Sequence, residues 1–67
     1  MNTRQRVIIA FVVAARKQEE LKGRELTKKE FSQLAGDVAD NRKDIGEYVT
    51  NVQFSRLVTE AWNEFKS

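Results

Sequence analysis

The chain has no cysteine, no histidine and no proline, and only three glycines among its 67 residues. Without cysteine, no disulfide can brace the fold and no thiolate can hold a metal or attack a substrate. Without histidine, the commonest general base and the commonest metal ligand are missing. Without proline, the residue that most disrupts helix interiors is gone, and a 33% share of charged residues suits helices with wet outer faces. Long apolar runs are lacking too. The longest, Val7–Ala15, is nine residues, whereas a bilayer span needs about 20. Arg4 and Arg6 ahead of that run superficially resemble a signal peptide. Arg16, Lys17, Glu19 and Glu20 follow closely, so the run is expected to be a helix of the domain itself. The expected setting is the cytoplasm, with no membrane contact.

The equipment for catalysis is nearly absent. Ser32, Thr50, Ser55 and Tyr48 have no base to activate them. Asp37, Asp40, Asp44 and Glu47 fall at helical spacing, which would suit either a metal site or an exposed acidic face. Hard-cation loops interleave their ligands with glycine in a turn. That pattern is missing, so the acidic face is preferred. No enzyme activity, no metal and no cofactor are expected.

A chain of this length forms one domain at most, and residues 1–67 are taken as a single helical domain. It buries only about 60% of the surface of its unfolded form, so a homodimer would add welcome stability. The first helix is expected over Thr3–Lys22, capped by Thr3 and ended by Gly23. Val7, Ile8, Phe11, Val12 and Ala15 share one face, and Ile9 and Val13 widen the apolar arc to about two thirds of the circumference. So apolar a helix is expected either at the centre of the bundle or partly against a second subunit. Five of these residues are β-branched, which leaves a strand over Arg6–Val13, and with it a ribbon-helix-helix dimer, as a less favoured reading.

Thr27 and Glu30 form a capping box, and Leu26 with Phe31 forms a hydrophobic staple, so a second helix starts here. Gly36 is its expected stop. The third helix is expected within Asp37–Val49, with Asp37, Asp40 or Asn41 each able to cap its start and Gly46 inside it. The fourth runs from about Asn51 to Phe65, capped by Asn51 or by Thr50 with Gln53. It carries Phe54, Leu57, Val58, Ala61, Trp62 and Phe65 as an apolar stripe. The fold class is therefore an all-α, small four-helix bundle. Its expected core gathers Phe11, Phe31, Leu34, Ile45, Phe54, Leu57 and Trp62.

Charge is unevenly spread. Residues 1–29 sum to +5 and residues 30–67 to −3. A basic half can meet phosphate or an acidic protein surface. Arg24, Lys28 and Lys29 cluster at the start of the second helix, where backbone amides also favour anions; the basic residues read either as a phosphate-contacting patch or as a solvated surface paired with Glu19, Glu20 and Glu25. Aromatics do not interleave with these bases, so single-strand stacking is not suggested.

Leu26, Thr27, Glu30, Phe31, Leu34, Ala35 and Gly36, then Arg42, Lys43, Ile45 and Tyr48, then Phe54, Leu57 and Val58 form a longer pattern. It resembles the helix-turn-helix of small phage-type DNA-binding proteins, including the N-terminal domains of terminase small subunits. The resemblance implies a helix-turn-helix-like pair of helices and a non-enzymatic regulator that binds double-stranded DNA as a dimer. On that reading Arg24, Lys28, Lys29, Arg42 and Lys43 meet the phosphates. The helix over residues 37–49 also carries four acids against two bases. The alternative is therefore an adaptor or inhibitor docking on a partner protein, either through Asp40, Asp44 and Glu47 or through the apolar first helix.

Overall fold

The computed structural model describes residues 2–50 and 52–67, which form four α-helices and, among the described residues, no strand. The chain is a small all-α bundle. The helix α1 spans Thr3–Lys22. Its β-branched residues are helical, because Val7, Phe11 and Ala15 recur every four residues and are buried together. That removes the strand on which a ribbon-helix-helix would be built. The cap is Asn2 rather than Thr3: Asn2 Oδ1 accepts the Gln5 amide at 2.9 Å, and Thr3 lies inside the helix. Gly23 ends α1 as expected. Its φ of 69° is left-handed, and its N–H donates to the Glu19 carbonyl at 2.8 Å.

The helix α2 spans Lys28–Asn41, and its start obeys the local signal. The Glu30 amide donates to Thr27 Oγ1 at 3.2 Å, and the Thr27 amide donates to Glu30 Oε1 at 3.0 Å. Leu26 and Phe31 on either side are buried. Gly36 is not a stop. A glycine ends a helix by turning left-handed, and here only Gly23 does so. Beyond Gly36, Val38 and Ala39 keep the apolar face going and pack on the core.

The third helix, α3, is therefore shorter than expected. It spans Lys43–Val49 instead of beginning at Asp37. Arg42, extended at φ −119° and ψ 109°, ends α2 and begins α3, so one residue separates the two helices. The fourth, α4, spans Phe54–Lys66 and starts after Gln53, whose side chain makes no capping bond. Thr50 does not cap it. Its hydroxyl donates to the Glu47 carbonyl at 2.7 Å and closes α3 instead. Asn51, the other expected cap, lies outside the described residues.

The centre of the bundle is α2, not α1, because α2 packs against all three of the other helices. At 1.5 Å per residue α1 is about 30 Å long, nearly the 33 Å of the longest molecular axis. Three shorter helices cannot surround it, so its far side faces solvent. Ile9 is 45% and Val13 58% exposed there. Phe11 and Phe31 are the largest fully buried side chains, and Ile45 and Leu57 join them as expected. Leu34, Phe54 and Trp62 do not: they are half-buried and flank the core. Phe65 takes the deeper place beside Phe31, at 5.4 Å between ring centroids, while Trp62 meets Phe31 edge-on at 5.4 Å. Among the described residues, no helix is long and apolar enough to cross a membrane.

Candidate nucleic-acid interface

The five expected phosphate-contacting residues fall into two groups. Arg24, Lys28 and Lys29 lie at the start of α2, and Arg42 and Lys43 lie beyond its end. Fourteen residues of helix hold the groups about 20 Å apart. The fold does not gather them into one patch, and each group would need its own phosphates.

Within each group the arginine is already engaged. Arg24 donates from Nη1 to Glu30 Oε1 at 2.9 Å and from Nη2 to Glu30 Oε2 at 2.6 Å, a two-pronged pair. Lys22 stands 3.8 Å from the same carboxylate. Glu30 is thereby held well below the ordinary carboxylate value of 4.5, at about 2, first by the Arg24 hydrogen bond and then by the Thr27 amide. The first turn of α2 thus has an anion of its own. The loop before it is pinned from the other side, because the Leu26 amide donates to Glu19 Oε2 at 2.9 Å. Arg42 pairs with Asp44 at 3.3 Å across the joint between α2 and α3.

The lysines are different. Lys28, Lys29 and Lys43 are exposed and make no ion pair among the described residues. Lys28 and Lys29 open α2, and Lys43 opens α3. Of the five residues, these three are the cations that no acid among the described residues already holds.

The candidate acidic face is divided by the Arg42 joint. Asp40 is on the last turn of α2, while Asp44 and Glu47 are on α3. All three are exposed. Asp40 sits where the helix dipole disfavours a carboxylate, and no base in the last turn offsets it.

Two features were not anticipated from the sequence. Arg4 on α1 pairs with Glu60 on α4, tying the two helices together. Beside this pair a cleft of about 630 Å³ runs between α1 and α4, floored by Ile8, Ile9 and Val12 and rimmed by Arg16 and Glu64. Arg16 caps the Phe65 ring at 5.7 Å, and Lys66 lies 4.9 Å from the Trp62 ring centre. The Arg4–Glu60 pairing joins residues far apart in the chain, so no local spacing announces it. No known protein family, curated protein or solved structure matches this chain.

Proposed function

We propose that this chain is a small non-enzymatic regulator, of the kind found in phages and mobile elements, that binds double-stranded DNA through α2 and α3 and acts as a dimer. The observation that carries the reading is the trio Lys28, Lys29 and Lys43. They are exposed ammonium groups in no ion pair among the described residues, set in the first turns of the two helices that resemble a helix-turn-helix. Affinity for a duplex comes mainly from neutralising phosphates and releasing counterions. Unpaired lysines supply that at less cost than arginines that must first leave Glu30 or Asp44. Phosphate contact therefore falls chiefly to the three lysines, and Arg24 and Arg42 act by shaping the surface around them.

A second reading is docking on a basic protein surface. It draws on Asp40 and Asp44, exposed on either side of the Arg42 joint, with Glu47 one turn further along α3.

Fluorescence titration with mixed-sequence duplex DNA, at low and at moderate salt, separates the two. On the DNA reading, Lys28→Ala, Lys29→Ala or Lys43→Ala weakens binding on every sequence and lowers the salt slope by about one unit each. Arg24→Ala lowers it less. Replacing Asp40, Asp44 and Glu47 together by Asn, Asn and Gln tightens binding by removing repulsion. Absence of binding at low salt sinks the DNA reading and leaves the acidic surface as the better candidate.

A further inference from the structure

We propose that two copies of this chain associate through the outer face of α1, with the two helices antiparallel about a two-fold axis at Val13. Nothing in this inference depends on DNA being the ligand. Arg6, Ile9, Val13 and Glu20 follow one another at intervals of three, four and seven residues. At 100° per residue they share one side of the helix, roughly opposite the buried Val7, Phe11 and Ala15. Ile9 and Val13 are the apolar centre of that side, 45% and 58% exposed. Ile9 also lines the cleft between α1 and α4. Arg6 and Glu20 are the exposed ends of that side. Neither the Arg6 guanidinium nor the Glu20 carboxylate is in an ion pair among the described residues.

At positions 6, 13 and 20 the strip is complementary to itself, and Ile9 falls opposite the aliphatic stem of the other copy's Lys17. Arg6 lies seven residues before Val13, and Glu20 lies seven after it. Rotation by half a turn about Val13 brings Arg6 of each copy onto Glu20 of the other, twice, with Val13 against Val13. A parallel pairing would stack Arg6 on Arg6 and Glu20 on Glu20. The antiparallel pairing also opposes the two helix dipoles. An apolar strip whose unpaired end charges match their own two-fold image selects a second copy as the occupant over an unrelated partner. Sharing this strip also answers the small core of a 67-residue chain.

Sedimentation of the intact chain from about 5 to 500 µM, a range that spans weak self-association, should show a monomer converting to a dimer. Val13→Glu should abolish the dimer. Val13 is exposed, so the variant should keep its helical circular dichroism and its melting temperature at low concentration. Arg6→Glu or Glu20→Arg alone should weaken association by about tenfold or more, since each turns two attractions into repulsions. The double exchange should restore wild-type association. The chain has no cysteine of its own, so Val13→Cys should form a clean intermolecular disulfide on mild oxidation. Arg6→Cys should not, its symmetry mate lying about 21 Å away. A monomer at every concentration, cross-linking through position 6 instead of position 13, or a double exchange that fails to restore association would each overturn the proposal.

Discussion

Gly36 and Gly46 sit on successive helices, yet replacing each by alanine should move stability in opposite directions. A Cβ at Gly36 would meet nothing within 4 Å, so Gly36→Ala should gain about 1 kcal/mol from helix propensity alone. A Cβ at Gly46 would lie 2.8 Å from the Ala39 carbonyl oxygen. That oxygen belongs to the backbone of α2 and cannot swing away. Gly46→Ala should therefore lose about 1–3 kcal/mol despite the same propensity gain. Urea denaturation of both variants checks this, and equal effects would mean that α3 does not approach α2 as described. Glu30 gives a second prediction at this scale. Its folded value of about 2 lies below the ordinary 4.5. The stabilisation from its contacts with Arg24 and Thr27 is thus complete above the unfolded value and fades as pH falls toward the folded one. The melting temperatures of the wild type and of Glu30→Gln should differ most near neutral pH and converge between pH 4.5 and about 2. A difference that stays constant over that window would show that the carboxylate charge contributes nothing.

At the scale of the element, what was legible in the sequence is what is decided locally. The Thr27–Glu30 box, the Leu26–Phe31 staple and the Gly23 terminus each need only residues a few positions apart, and each stands where the pattern puts it. The boundary between α2 and α3 is different. Gly36 is compatible with a stop but does not require one, and the apolar positions Val38 and Ala39 favour continuing. The break falls at Arg42, where the chain turns so that Ile45 reaches the core and Gly46 lies against Ala39. That choice depends on the packing of α3 on α2, which no spacing within either helix encodes. The same shift divides the acids, placing Asp40 on one helix and Asp44 with Glu47 on the next. For the candidate interface, the basic residues were legible as charges. Their engagement was not, because the grip of Arg24 on Glu30 depends on the path of the loop between them.

Across the whole molecule, the apolar surplus of α1 was readable from its composition, but its placement was not. A helix with apolar residues on most sides can sit at the centre only if enough chain remains to wrap it, and here α2 takes the centre. The hub arrangement gives the helices unequal fates when the fold fluctuates. Losing α2 would strip α3 of its support and leave only α1 against α4, so the amides in the middle of α2 should exchange with deuterium chiefly through global unfolding. The seven residues of α3 pack chiefly on α2, contribute one buried side chain, Ile45, and begin without a side-chain cap. They can detach while α1, α2 and α4 stay assembled. Hydrogen exchange followed residue by residue should therefore find α3 the least protected helix and the middle of α2 the most protected. Uniform protection would mean that the four helices open as one unit.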